Sequence, residues 1–167
     1  AYGGSIANRY RLLKEVVDAA QGAYPAKHIS VRLSPNGVFN DMGTPEYREL
    51  FGYVIEQLEG AGIGFLHVMD GLAFGFHELG EPMTLGEFRK LVRTPLIGNC
   101  GYTQQSAEDA VARGAADLIA FGRPFISNPD LVRRLREDAA LNPLQEDKLY
   151  GGGAEGYTDY PTLDETG

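Results

Sequence analysis

Apolar side chains at Ile6, Tyr10, Leu13, Val16, Val17 and Ala20 fall three or four residues apart, which predicts a helix with one buried face. Ser5 stands where its N-cap belongs, and the stretch from Gly22 to Pro25 stops it. The period then drops to two. Along the run from Ile29 to Pro35, Ile29, Val31 and Leu33 point one way and Ser30, Arg32 and Ser34 the other, as in a strand. After a polar loop from Asn36 to Gly43, Thr44, Pro45 and Glu46 read as N-cap, first-turn proline and first-turn acid of a second helix. Its buried face is Tyr47, Leu50, Phe51, Val54, Ile55 and Leu58. The run Gly64 to Met69 predicts a second strand, and a long loop from Asp70 to Met83 leads to a capping box, Thr84 with Glu87, before a short helix through Leu91.

Two more apolar runs follow, each ending in a glycine turn. Pro95-Leu96-Ile97 stops at Gly98-Asn99-Cys100-Gly101, and Leu118-Ile119-Ala120-Phe121 stops at Gly122-Arg123-Pro124, with a helix-like segment between them. Beyond Asn128-Pro129-Asp130 the pattern predicts a last helix through about Ala139, with Leu131, Val132 and Leu135 inward. From Asn142 onward the chain is rich in Gly and Tyr and has no clear period.

Helix and strand in alternation are the mark of parallel βαβ units, which build either an open doubly wound sheet or a closed barrel. A G-x-G-x-x-G turn is absent, and only Asp70 approaches the strand-end position of a ribose-binding acid, so the open dinucleotide-binding sheet is disfavoured. Glycine turns after the last two strands are instead where barrels hold phosphate. Glycine lets backbone N–H groups approach an anion, an arginine clamps it with two donors, and a helix starting beyond adds its dipole. A full barrel takes about 250 residues. The predicted fold is therefore α/β, the C-terminal half of a (β/α)8 barrel, with βα units over residues 1–140 and an extension over 141–167 bordering the site. A missing N-terminal segment is expected to complete it, because half a barrel leaves two sheet edges and an apolar interior open.

Composition narrows the partners. The 167 residues are 43% hydrophobic and 23% charged, the profile of a globular chain, and the net charge of −8 lacks the basic surface that nucleic acid requires. A single cysteine excludes an internal disulfide framework and fits a reducing compartment, so the cytoplasm is the expected location. No run reaches the roughly 20 apolar residues of a membrane span. Arg32, inside a strand, is either a surface arginine on a solvated face or a charge in a barrel mouth, where it needs a partner. Phe74 and Phe76 are more readily local packing than a lid, Cys100 is read as a packed small residue, and His28, His67 and His77 lack metal-ligand spacing.

Several blocks, in order along the chain, resemble the old yellow enzyme family of FMN-dependent ene reductases. They are Tyr2-Gly3-Gly4-Ser5-Ile6 with Asn8-Arg9, Val31-Arg32-Leu33-Ser34-Pro35, Gly98-Asn99, the run Phe121-Gly122-Arg123-Pro124-Phe125-Ile126 with Asn128-Pro129-Asp130-Leu131, and Gly156-Tyr157 with Asp159-Tyr160-Pro161. The resemblance implies strands five to eight of that family's barrel, with FMN as cofactor and NADPH or NADH as reductant. It implies that Arg32 lies against the pyrimidine side of the flavin, where a cation stabilises the charge of the reduced form. Gly98 and Asn99, with Gly122 and Arg123, would wall the FMN phosphate; Phe121 is the aromatic before that glycine, and Tyr150 borders the flavin cavity. Phe39, Asn40, Phe74 and Phe76 lie in loops resembling those over the substrate cavity.

In that family a hydride passes from the nicotinamide to the flavin and on to the β-carbon of an enone, with protonation at the α-carbon. The proton donor and the pair that holds the substrate carbonyl belong to the first half, so no catalytic residue is expected here. The expected partners are the complementary N-terminal half and a small-molecule enone, with a self-paired homodimer as the rival closure. A non-catalytic FMN- or phosphate-binding fragment remains the alternative, and a phosphate-binding half-barrel of another enzyme a third reading.

Overall fold

A computed structural model describes residues 2–165, which divide after Ala120 into two compact units. The expected boundary at residues 140 and 141 thus lies inside the second of them.

The first unit holds α1 (Ile6–Gln21), β1 (Ser30–Leu33), α2 (Tyr47–Gly60), β2 (Phe65–Met69), α3 (Leu85–Leu91), β3 (Leu96–Asn99), α4 (Gln104–Ala112) and β4 (Leu118–Ala120). The four strands are parallel and ordered β1-β2-β3-β4. Ser5 caps α1 by accepting from the Asn8 N–H, and the Thr84–Glu87 capping box opens α3, both as the sequence predicts. Leu66, Val68 and Leu96 turn to the helix side of the sheet, where they meet Val54, Ile55 and Leu58 of α2 and Phe88 of α3 in one core. Val16, expected inside, is 58% exposed, because α1 buries only the narrow stripe through Tyr10 and Val17.

The second helix starts later than the capping pattern predicts. Arg9 reaches across from α1 and donates to Thr44 Oγ1 at 3.2 Å and to Glu46 Oε2 at 3.4 Å, while the Thr44 hydroxyl donates to Glu46. With its side chain so engaged, Thr44 caps nothing, and α2 begins at Tyr47. The long loop after β2 is tied down. Asn36, buried, donates to the carbonyls of Asp70 (2.8 Å) and Met83 (2.9 Å) and accepts from the Met83 N–H (2.9 Å). His77 Nδ1 accepts from the Leu79 N–H, which leaves Nε2–H to donate to the Pro35 carbonyl at 3.0 Å.

Among the described residues the other face of the sheet has no such core packed on it. Phe65 and Leu118 stand 37% and 56% exposed on it, and Arg32, His67, Ile97 and Leu118 form one register row across the four strands. The edges of the sheet are β1 and β4.

The second unit contains α5 (Arg123–Ser127), α6 (Leu131–Arg136) and the tail. Leu131 is inward as expected, at 2% exposed, but Arg134 joins it in place of Val132, which is 60% exposed. Arg134 donates to Asp130 (2.7 Å) and to the carbonyls of Ala140 (2.6 Å) and Pro161 (2.9 Å), so a buried guanidinium organises the aperiodic tail. Asp138, at a φ of 52°, keeps α6 from running on to Ala139. Among the described residues no helix is long and apolar enough to cross a membrane, and no acid, histidine and cysteine cluster suits a metal.

Candidate functional site: an arginine on the open face of the sheet

Arg32 points out of the uncovered face, as its place in the alternation of β1 requires. Its guanidinium passes diagonally over β2, and Nη2 donates to Asn99 Oδ1 on β3 at 3.1 Å. The Asn99 amide is itself oriented, since Nδ2 donates to the Ala120 carbonyl at 2.7 Å. Among the described residues no carboxylate pairs with Arg32. The neighbouring His67 is held neutral: burial lowers its pKa, and the charge of Arg32 lowers it further. Its Nε2 is buried and has no hydrogen-bond partner among the described residues. A fully charged guanidinium thus stands among neutral groups, an arrangement suited to an anionic ligand.

Behind this face the end of β3 is clamped. Asp70 Oδ1 accepts from the Asn99 N–H at 3.1 Å and Oδ2 from the Tyr102 hydroxyl at 2.6 Å. Gly98 lies on the helix side, where a Cβ would come within 2.7 Å of Leu85 Cδ1 and 2.9 Å of Ile119 Cδ1, so a larger residue there would have to displace the ends of both side chains. The backbone turns after Asn99, through Cys100 at a φ of 89° and Gly101 at 81°, with Cys100 buried. Burial raises the Asp70 carboxyl above its ordinary value despite both hydrogen bonds, and burial with the Asp70 contact pushes Tyr102 up as well.

The raised pKa has a definite sign. The stability contributed by Asp70 is full below about pH 4, its unfolded value, and is lost as pH rises through the higher folded value. Asp70→Asn removes this titration. Its Tm relative to the unchanged protein is expected to improve between about pH 4 and pH 7; a difference that stays constant over that range would contradict the assignment.

In the second unit Gly122 precedes α5 with open space where a Cβ would stand, and Arg123 begins the helix with Pro124 behind it. Arg123 Nη1 lies 3.3 Å from Glu146 Oε1 in an exposed pair. Such a pair contributes little and exchanges readily.

Residues 1–142 match the profile of the family described as NADH:flavin oxidoreductase / NADH oxidase. The chain belongs to that family. It is 35% identical to 12-oxophytodienoate reductase 2 of Arabidopsis thaliana, over 99% of this chain and 45% of the relative. A probable flavin mononucleotide-dependent alkene reductase of Leishmania infantum is 36% identical over 97% of this chain and 43% of its own length. Among solved structures, the old yellow enzyme homologue from Zymomonas mobilis superposes with a TM-score of 0.90 at 38% identity, over 97% of this chain and 46% of that one. Morphinone reductase in complex with tetrahydroNAD superposes at 0.86 and 34% identity, over 99% and 44%. The chain thus spans about half the length of these relatives, and its four parallel strands are half of an old yellow enzyme TIM barrel. The family's cofactor is FMN, with a nicotinamide nucleotide as reductant.

Of the residues expected at an old yellow enzyme flavin site, Arg32 and Asn99 meet directly, and Gly98 adjoins them. Phe121 is half-buried at the start of the second unit, and Tyr150, 94% exposed, lies in its tail. Phe39 is exposed beside Asn40, whose φ is 52°, and Phe74 is exposed as well. Phe76 packs edge-on against Tyr47 and tilts against His77, so it braces the loop after β2. Sequence reasoning missed the roles of Asp70, Tyr102 and His67. An acid directly after an apolar strand was the available signal for Asp70; Tyr102 is recognisable only once the turn after β3 is folded.

Proposed function

We propose that this chain is the FMN-holding C-terminal half of an ene reductase. It would take hydride from NADH or NADPH and reduce the C=C bond of α,β-unsaturated carbonyl compounds once a complementary N-terminal half closes the barrel. The observation that carries this reading is Arg32: a cation on the barrel-facing side of the sheet, without a carboxylate partner among the described residues, in a chain of the flavin oxidoreductase family. FMN, when bound, supplies the hydride carrier. Arg32 would lie against the pyrimidine edge and favour the negatively charged reduced form. Gly122 leaves room for a phosphate beside the backbone, and the adjacent Arg123 would donate to that phosphate. No residue of this half is assigned the proton transfer or the substrate carbonyl.

The uncovered Phe65 and Leu118 and the free edges of β1 and β4 support the need for a second half. Mixing the chain with the missing half of a family barrel and FMN is expected to give a one-to-one complex. That complex should show visible flavin absorbance and oxidise NADPH when given an enone. A colourless mixture, or a chain that only pairs with itself, would reject the proposal.

A further inference from the structure

We infer that Asn99 is the positioning residue for Arg32: its side-chain amide, fixed between the Ala120 carbonyl and the guanidinium, holds that cation at one point on the open face of the sheet. The inference rests on the reading of Arg32 as the flavin's electrostatic partner. It assigns to the Asn99 side chain a role separate from the phosphate wall that the family resemblance implies for this residue.

Three features of the structure support it. Arg32 lies on β1, an edge strand, and its long side chain would otherwise sample many rotamers, at an entropic cost of up to about 2 kcal/mol when fixed. It is instead carried across β2 to a partner two strands away, at 3.1 Å. That partner is neutral, and so is the adjacent His67, so holding the guanidinium does not cancel its charge. A carboxylate at position 99 would hold it as well but would neutralise it. Finally, Asn99 is fixed from behind. Its backbone N–H is bound by Asp70, and Asp70 by Tyr102, so the place offered to Arg32 is set by β2, by the turn after β3 and by the end of β4. The Asn99 N–H is accordingly committed to a carboxylate.

The test uses the chain reassembled with its complementary half and loaded with FMN. Asn99→Ala frees the guanidinium, and Asn99→Asp holds it while neutralising it. Both variants are expected to lower the ratio of reduced-flavin to oxidised-flavin affinity about tenfold, which for a two-electron couple is a reduction potential about 30 mV lower. In an Arg32→Gln background, Asn99→Ala should leave the potential where Arg32→Gln alone puts it. Potentials unchanged in both single variants, or an undiminished effect of Asn99→Ala without Arg32, would overturn the inference.

A second arm needs no flavin. With 15N-labelled arginine, rotation of the Arg32 terminal nitrogens should be slow in the unchanged protein and fast in Asn99→Ala; equal rates in the two would also overturn the inference. If the unchanged protein binds no FMN, the proposed function fails, and the labelled-arginine comparison still decides the role of Asn99.

Discussion

In the proposed enzyme reassembled from both halves, replacing Arg32 by Ala is expected to slow reduction of bound FMN by NADPH about tenfold to a hundredfold, the range that corresponds to losing one hydrogen-bonded charge of about 1.5–3 kcal/mol. FMN affinity should fall as well, with reduced flavin losing more than oxidised, because the guanidinium opposes a charge that grows on reduction. The protein should remain folded. Arg32 is exposed and makes a single side-chain hydrogen bond, to Asn99, so its removal leaves no buried donor or acceptor orphaned. Arg32→Lys keeps the charge but loses the planar fork that reaches Asn99, and an intermediate effect is expected. Stopped-flow reduction and fluorescence titration of FMN check both parts, and unchanged behaviour in each would remove Arg32 from the flavin site.

Asn36→Ala is expected to have the largest effect on stability. Asn36 is 1% exposed and satisfies the carbonyls of Asp70 and Met83 and the Met83 N–H, so its loss leaves two buried groups and one half-buried group unpaired. At about 1 kcal/mol or more for each, the cost is roughly 3 kcal/mol or above. For a chain of this size that lowers Tm by about 6–12 °C. Asn36→Asp retains the acceptor for the Met83 N–H but sets a carboxylate against two carbonyls, and it should be no better. A thermal scan in which Asn36→Ala melts within about 2 °C of the unchanged protein would show that the loop after β2 is held by other contacts.

The strands and most of the helix starts could be read from the sequence because they depend on neighbours. The alternation at Val31-Arg32-Leu33 and the caps at Ser5 and Thr84 involve residues within a few positions of one another. Where a distant partner intervenes, the local pattern misleads. Arg9 draws Thr44 and Glu46 into a turn and delays α2 until Tyr47, and three bonds from the Asp130 region and the tail bring Arg134 inside while Val132 faces solvent. The site divides in the same way. Arg32 was marked by a charge inside a strand, whereas the diagonal reach to Asn99 and the Tyr102–Asp70 clamp depend on which strands lie side by side. Gly98 could be read as a turn glycine from its sequence neighbours, but it is the last buried position of β3 and is small because Leu85 and Ile119 press on it.

The order β1-β2-β3-β4 bears on how the chain reaches its fold. Every strand pairs only with the strand before or after it in the sequence, so each βα unit can dock on its neighbour as it leaves the ribosome without waiting for a segment further along the chain. On the proposed function, what would remain is closure at the two outer strands, β1 and β4, which a separate polypeptide could supply as readily as a continuous one.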